Sequence, residues 1–161
     1  MAANRGKQFE AKFKNDWLKL PNSTIDRLID IQSGFKSISQ ISDFIGYVKP
    51  YIFYLECKST LGNTFPLSRL KQYTKLLGKL GIPGANPGVV IWFIDHSVVA
   101  YAPIESIRYL VNNNYKSVNI KMVDNPEFKI YKVPSIKKQV FLDSDYSILL
   151  DIADERERNN I

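Results

Sequence analysis

The sequence predicts an α/β domain in which α-helices flank a central mixed β-sheet. Three observations support this prediction. Apolar residues recur at helical spacing near the start of the chain. Two runs rich in β-forming residues lie between Ile41 and Thr60. After an intervening helical pattern comes a continuous apolar run, Val89 to Asp95, which is typical of a buried strand parallel to the second of those runs.

The size and composition are those of one folded domain. At 161 residues the chain is long enough for a hydrophobic core, so we expect residues 1–161 to form a single domain. A hydrophobic content of 45% excludes a disordered chain. No apolar run reaches the ~20 residues of a membrane span, and the polar start is unlike a signal peptide. The single cysteine agrees with a reducing compartment, so a cytoplasmic protein is expected.

The net charge of +6 is unevenly distributed. Residues 1–90 contain 13 Lys and Arg against 6 Asp and Glu, whereas residues 91–161 contain 9 against 10. The basic half also holds the acidic residues described below. This combination suits a site that attracts a polyanion and cuts it with a metal ion. The alternative is that the lysines only keep the surface soluble.

The first predicted element is a helix from Asn4 to Leu20, with Asn4 as its N-cap and Pro21 beyond its end. Glu10 lies beside the apolar stripe of this helix. It is either an ion-pair partner of Lys14 one turn away or a residue that reaches over the sheet to a metal site. The expected buried stripe consists of Phe9, Phe13, Trp17 and Leu20.

The stretch from Ile41 to Thr60 predicts two strands joined by a tight turn. If the chain reverses at Lys49 and Pro50, Asp43 lies directly opposite Glu56, with Cβ atoms roughly 4.5 to 5.5 Å apart. Two carboxylates this close in an apolar sheet repel each other and lose hydration. A hard divalent cation bound by oxygen ligands offsets both costs, so the pattern predicts a metal site.

Lys58 shares a strand face with Glu56, because side chains alternate along a strand. An ammonium group beside a bound ion can orient the attacking water and counter the charge of a transition state. The alternative is a simple Glu56–Lys58 ion pair on an edge strand. Apolar residues on both sides of Glu56 favour a central strand and therefore the catalytic interpretation. Cys57, on the apolar face, is interpreted as a packing residue.

Two further helices are predicted in the middle of the chain. One begins at Pro66 and runs to Leu80, as a crossover between the two parallel strands. The other begins at Pro103 and ends at Asn112 to Asn114. The expected buried side chains are Leu70, Tyr73, Leu77 and Leu80 in the first helix, and Ile104, Ile107, Leu110 and Val111 in the second.

The remaining segments predict loops, short strands and a closing helix. Residues 82–88 are interpreted as a loop, and Val98 to Ala102 as a strand that returns beside the buried one. His96 falls in the turn between them and is interpreted as a solvated residue. The charged tail from about residue 153 is expected to be frayed. Because the sequence has no phosphate-binding GxxxxGK[ST] loop and no CxxC pair, energy-coupled and zinc-based functions are not expected.

Three short motifs carry a resemblance to a known family. Asp43, followed thirteen positions later by Glu56-Cys57-Lys58, is similar to the PD-(D/E)XK nuclease pattern, with Ser42 in the place of proline. Two further runs, FPLSRLKQY (Phe65–Tyr73) and NRGKQFE (Asn4–Glu10), restrict the similarity to one family within this broad class of nucleases. Together they resemble RecU-type Holliday junction resolvases, including phage-encoded members. The resemblance implies a restriction-endonuclease-like fold and a homodimer that resolves four-way DNA junctions by paired symmetric nicks.

The resemblance also assigns roles to residues. The implied catalytic residues are Asp43, Glu56, Lys58, Gln72 and Glu10. The expected metal ligands, for Mg²⁺ with Mn²⁺ able to substitute, are Asp43, Glu56, the backbone carbonyl of Cys57 and Glu10. The candidate DNA-binding residues are Arg5, Lys7, Lys36, Arg69 and Lys71. Such a substrate places the protein in the cytoplasm of a bacterial cell or a phage-infected host.

Two alternatives remain open. The first is another PD-(D/E)XK nuclease that cuts or nicks duplex DNA without junction selectivity. Ile25 to Gln40 favours it, because this segment, predicted as a strand, a turn and a lead-in, is shorter than the stalk that enters the junction in the resembling family. The second is a DNA-binding protein of the same fold without catalysis, which explains the charge but not the convergence of two acids and a lysine.

Overall fold

The computed structural model describes residues 2–33 and 36–159. Four α-helices lie in this part of the chain: α1 (Ala2–Trp17), α2 (Tyr73–Leu77), α3 (Ile104–Asn112) and α4 (Ile148–Asn159). The strands of the first half are β1 (Ser23–Arg27), β2 (Ile31–Ser33), β3 (Lys36–Ile38), β4 (Phe44–Val48), β5 (Tyr51–Thr60) and β6 (Thr64–Pro66). Those of the second half are β7 (Ala85–Phe93), β8 (Val98–Pro103), β9 (Ser117–Asn119), β10 (Tyr131–Lys132), β11 (Ser135–Lys137) and β12 (Leu142–Ser144).

The largest sheet of the described residues has the strand order β1-β4-β5-β7-β8-β10. β5 and β7 are parallel, and the other neighbours in this sheet are antiparallel. The sheet is therefore mixed, and β5 lies inside it rather than at an edge. This confirms the predicted α/β fold class, a central mixed sheet flanked by helices.

Each face of the sheet packs against its own helices, because alternate residues of the central strands point to opposite sides. α1 and α4 cover one face, where Phe13 is enclosed by the rings of Trp17, Phe44 and Tyr146 at centroid distances of 6.0, 5.2 and 4.7 Å. α2 and α3 cover the other face. Burying each such large apolar side chain contributes about 1.5–3 kcal/mol, so both layers stabilise the strands that carry the site.

The four predicted stripe residues of α1 are all buried, which confirms the helix and its orientation. The predicted N-cap is wrong, since α1 already includes residue 2 and Asn4 lies in its first turn. The helix ends at Trp17, and Leu20 is buried in the turn that follows. Trp17 packs closely on β4 at Gly46, where an added Cβ would lie 2.7 Å from the indole ring.

Between β1 and β4 the chain forms a separate antiparallel pair, β2 and β3, in place of the single strand and lead-in that were predicted. Gln40 closes the base of this pair, because its backbone N–H donates to Asp30 Oδ1 at 2.7 Å. Residues 34 and 35 and the side chains of 31–38 lie outside the described structure. The side chain of Lys36, a predicted DNA-binding residue, is among them.

The helix predicted from Pro66 to Leu80 is wrong in extent. Pro66 ends β6, which pairs with the distant β9, and a short 3-10 helix, Leu67–Arg69, follows before α2 begins. Pairing with a distant strand has overridden the local helical pattern. The helical phase is therefore interrupted, and Leu76 is buried where Leu77 was expected.

The loop predicted for residues 82–88 is also wrong in part, because β7 begins at Ala85. Pro87 is tolerated there since β8 pairs with β7 only from Gly88 onward, so the missing N–H leaves no β8 carbonyl without a donor. The parallel arrangement of β5 and β7 is confirmed.

The last two helices each differ from expectation in one respect. α3 buries three of its four predicted residues, but Val111 is 40% exposed. α4 continues through residues 153–159, where a frayed tail was expected, and Arg156 forms an ion pair with Glu105 at 2.7 Å. No helix in the described ranges is both long and apolar enough to cross a membrane.

Candidate active site

The two predicted carboxylates meet across the β4–β5 hairpin. The register pairs Phe44 with Leu55, so Asp43, immediately before β4, faces Glu56 as predicted. The backbone N–H of Asp43 donates to Glu56 Oε2 at 3.0 Å, and the backbone N–H of Cys57 donates to Asp43 Oδ2 at 2.8 Å. Each acid is thus held by a backbone group of the opposite segment, which fixes both carboxylates at the same end of the sheet.

Lys58 completes this group. Its Nζ lies 2.8 Å from Glu56 Oε1, and its side chain is 21% exposed, whereas that of Glu56 is 1% exposed. β5 has a neighbouring strand on each side, so the interpretation as an edge-strand ion pair is wrong. A buried ion pair in a central strand carries a desolvation cost that apolar residues would avoid, which is typical of a functional requirement.

Both carboxyl groups of the pair have raised pKa values. Burial raises the pKa of Glu56 to about 7, and the neighbouring charge of Asp43 adds to the rise, while Lys58 opposes it. Burial also raises the pKa of Asp43, and the charge of Glu10 adds to the rise. The hydrogen bond from the Cys57 N–H and the charges of Lys58 and Arg27 lower this pKa and only partly offset the rise. Two acids that resist ionisation side by side are what a divalent cation would relieve.

Cys57 contributes its backbone rather than its thiol. Its side chain is buried on the α1 face, where burial raises the pKa of the thiol well above its ordinary value. Because the N–H and C=O of a strand residue point to the same side, the N–H bond to Asp43 also directs the Cys57 carbonyl toward Asp43. This carbonyl is suited to be the third protein ligand.

Glu10 reaches the edge of the site but is paired there with a residue that the sequence did not single out. Its Oε2 lies 2.5 Å from Nη2 of Arg27, the last residue of β1, and Lys14 is not its ion-pair partner. β1 pairs with β4 so that Arg27 lies opposite Phe44, next to Asp43. The position of Arg27 beside Asp43 follows from the pairing of β1 with β4, which the sequence does not show.

Gln72 is brought to the same place. Gln72 and Asp43 line one cavity of about 120 Å³, together with Arg27, Gln40 and Ser42. The Oε1 atom of Gln72 is buried and has no hydrogen-bond partner among the described residues. A buried acceptor without a donor carries a cost of about 1–3 kcal/mol, so it indicates a position that a water or a ligand completes.

Comparison with known proteins adds little at the level of sequence. No model of a protein family and no curated protein matches the chain. Among solved structures, it is similar to Hjc of Archaeoglobus fulgidus, a Holliday junction resolvase from an archaeal hyperthermophile. The two are 16% identical, the match covers 63% of this chain and 78% of that chain, and the TM-score is 0.48.

The donor atoms of the site fit a hard divalent cation. Asp43 and Glu56 offer carboxylate oxygens and Cys57 a carbonyl oxygen, and such ligands suit Mg²⁺ and Mn²⁺. Among the described side chains, no group of three or more His, Cys, Asp or Glu could hold a metal ion. Glu10 therefore does not form a three-carboxylate cluster with the pair, and its role as a ligand stays a prediction. Waters and substrate oxygens commonly fill the remaining positions of Mg²⁺.

Three of the predicted DNA-binding residues lie on segments that approach Ser59, near the end of β5: Arg5, Lys7 and Arg69. A Cβ added at Gly6, between Arg5 and Lys7, would lie 4.0 Å from Ser59 Oγ. Arg69 donates from Nη2 to the Ser59 carbonyl at 3.2 Å. Lys71 is exposed beside Gln72, and the side chain of Lys36 is outside the described part.

Two other residues considered from the sequence have hydrogen-bond partners outside the carboxylate pair. Ser42, beside the first acid, donates from Oγ to the carbonyl of Phe44 at 2.8 Å, so it stabilises the entry into β4. His96 is exposed in the turn before β8, where its Nε2 lies 2.7 Å from Asn63 Oδ1. Neither side chain forms a hydrogen bond with the carboxyl group of Asp43 or Glu56.

Proposed function

We propose that this protein is a metal-dependent DNA endonuclease that resolves four-way junctions. The observation that carries the proposal is the pairing of Asp43 with Glu56 across two adjacent strands, with Lys58 at 2.8 Å from Glu56. An ion pair alone does not require a second, half-buried acid whose charge raises the pKa of Glu56. A site that binds a divalent cation and a phosphodiester requires both acids.

Each residue has a distinct task in this proposal. Asp43, Glu56 and the carbonyl of Cys57 would hold the cation, which would polarise the phosphodiester and make water a stronger nucleophile. Lys58 orients the attacking water and stabilises the negative charge of the transition state. Gln72, which lines the same cavity as Asp43, positions that water. Hydrolysis by in-line attack leaves a 5′-phosphate and a 3′-hydroxyl.

The substrate class rests on the motifs of the first half and on charge. The runs around Glu10 and Gln72 resemble RecU-type resolvases, and residues 1–90 carry the excess of positive charge that a polyanion requires. Paired symmetric nicks need two active sites, so the protein acts as a homodimer with a two-fold axis. Such a substrate places it in the cytoplasm of a bacterial cell or of a host infected by a phage.

The test compares labelled four-way junctions with linear duplexes of the same sequence. At ~100 mM salt, with Mg²⁺, the protein should place paired nicks in the junction and leave the duplex intact, and a chelator should stop the reaction. Cutting of both substrates alike would support a nuclease without junction selectivity. Binding of DNA without any cutting would support the non-catalytic alternative.

Asp43→Asn tests the site itself. This variant should lose cutting by several orders of magnitude and bind DNA as tightly as the parent or more tightly, because a repelling carboxylate is removed. Asp151→Asn is the matched control, since Asp151 is exposed on α4 and should leave cutting unchanged. Normal cutting by Asp43→Asn would show that the assigned site is wrong.

A further inference from the structure

The hairpin formed by β11 and β12 presents cations and apolar side chains to solvent. Residues 136–140 are all exposed, with Ile136 at 67% and Val140 at 53%. The loop is closed by the backbone N–H of Lys138, which donates to the carbonyl of Phe141 at 2.9 Å. Lys137 and Lys138 therefore stand at the tip of an ordered hairpin, next to two apolar side chains that no core accounts for.

Contacts along α1 fix the direction of this hairpin. Asp143 Oδ1 lies 2.7 Å from Nζ of Lys12, and Phe9 and Phe141 pack on the ring of Trp92 at 5.5 and 5.2 Å. β12 thus runs in the same direction as α1, and the hairpin tip that precedes β12 lies toward the N-terminus of the helix. A strand advances ~3.3 Å per residue and a helix 1.5 Å, so two strand residues span roughly four helix residues. The tip at 138–140 accordingly lies alongside the first turns of α1.

The first turns of α1 lie beside the C-terminal end of β5, the strand that carries Glu56. They carry Arg5 and Lys7, and Gly6 between them approaches Ser59 at the end of β5. Trp92, on which the hairpin packs, is the register partner of Ser59 on β7. Ser59 follows Glu56 by three residues, a distance of roughly 10 Å along the strand. The hairpin tip and the carboxylate pair therefore belong to the same end of the sheet.

Asp143, the carboxylate of the hairpin, does not hold Lys137 or Lys138 in a close ion pair, so both lysines can bind another anion. Asp143 is engaged by Lys12 at 2.7 Å, and its distance to Lys138 Nζ is 3.8 Å with Lys138 largely exposed. Exposed pairs of this length contribute ~0–1 kcal/mol and are easily exchanged for another anion. The net charge of residues 91–161 is not positive, so it gives no sign of the two adjacent lysines at the hairpin tip.

We propose that the β11–β12 hairpin is an arm that contacts the DNA backbone beside the active site. Lys137 and Lys138 bind phosphates, together with Arg5 and Lys7 of α1, and the exposed Val140 packs against the sugars of the same strand. The inference rests on the proposed function, because the partner is the DNA that the carboxylate pair cuts. It adds an interaction surface from the half of the chain that the motifs do not cover.

The test measures DNA affinity without cleavage. Fluorescence anisotropy of a labelled junction, in chelator and at several salt concentrations, compares the parent with the double variant Lys137→Gln/Lys138→Gln. Each phosphate contact contributes ~0.9 to the slope of log K against log[salt]. Loss of two contacts should lower the slope by up to ~1.8 for each protomer that engages the junction, and it should weaken binding at 0.1 M salt by roughly 10- to 60-fold per protomer.

The matched control is Lys49→Gln/Lys129→Gln, which removes the same charge. Lys49 lies in the β4–β5 turn and Lys129 precedes β10 at the Pro103 end of β8, so both are exposed and lie away from the hairpin tip. Its affinity and slope should stay within about twofold of the parent. Equal losses in both double variants would overturn the arm, because the effect would then be one of net charge.

Other outcomes separate this inference from the proposed function. Unchanged affinity of Lys137→Gln/Lys138→Gln in a protein that still cuts junctions would overturn the arm and leave the nuclease standing. A parent that binds no DNA would overturn both. Weaker binding by the hairpin variant in a protein that never cuts would support the arm and reject the nuclease.

Discussion

Replacing Glu56 by glutamine should stabilise the metal-free protein at alkaline pH. The pKa of Glu56 is raised from an ordinary value of 4.5 to about 7 in the folded protein, chiefly by burial and then by Asp43. Between these two pH values the folded state binds a proton that the unfolded state has released, so stability falls as pH rises. Below pH 4.5 this cost is absent, and above about pH 7 it is complete.

The size of the effect follows from the same difference. A tenfold change in proton affinity corresponds to ~1.4 kcal/mol, so ionised Glu56 costs roughly 3 kcal/mol at pH 8. Glutamine removes that cost, but its amide group cannot accept hydrogen bonds from both Lys58 and the Asp43 N–H. Losing one of them costs about 1 kcal/mol. The variant should therefore be more stable than the parent by about 2 kcal/mol at pH 8, and no more stable at pH 5.

Urea denaturation in the presence of a chelator, at pH 5 and pH 8, measures this difference as a free energy of unfolding. Glu155→Gln is the control, because Glu155 is exposed on α4 and its replacement should change stability little at either pH. A Glu56→Gln variant that is equally stable or less stable at pH 8 would refute the reasoning. So would a difference between variant and parent that does not change with pH.

Magnesium extends the same experiment. A cation that binds only the folded state stabilises it by RT ln(1 + [L]/Kd), so saturating Mg²⁺ should raise the stability of the parent at pH 8. It should raise that of Glu56→Gln much less, because one of the two carboxylate ligands is gone. Equal stabilisation of both proteins would place the cation elsewhere.

Three further predictions follow from particular contacts. Arg27→Gln should shift the acidic limb of the pH–rate profile of DNA cleavage to higher pH, since Arg27 lowers the pKa of Asp43 and its loss leaves that acid protonated at higher pH; an unshifted limb would contradict this. Gly46→Ala should destabilise the protein by about 1–3 kcal/mol in urea denaturation, because the new Cβ would lie 2.7 Å from the ring of Trp17. Gly6→Ala should stabilise the protein by up to ~1 kcal/mol in the same experiment. Alanine is favoured over glycine inside a helix, and the added Cβ meets no atom closer than 4.0 Å. A Gly46→Ala variant more stable than Gly6→Ala would contradict the packing described.

The parts of the fold that the sequence predicted correctly are those governed by local periodicity. The α1 stripe was visible because one helix face repeats every three or four residues, and the Asp43–Glu56 pairing because a short hairpin turn fixes its register. The helix expected from Pro66 failed because β6 found a partner, β9, about fifty residues away. No local pattern encodes that pairing.

The site divides in the same way. The sequence alone determined that two acids and a lysine share one end of a hairpin, since alternation and turn length place them there. Only the tertiary structure decided that Arg27 holds Glu10, that Gln72 lines the cavity of Asp43, and that the β11–β12 hairpin joins α1 at this end. These contacts depend on how distant segments pack against a common sheet, and packing is set by the whole chain rather than by any one stretch of it.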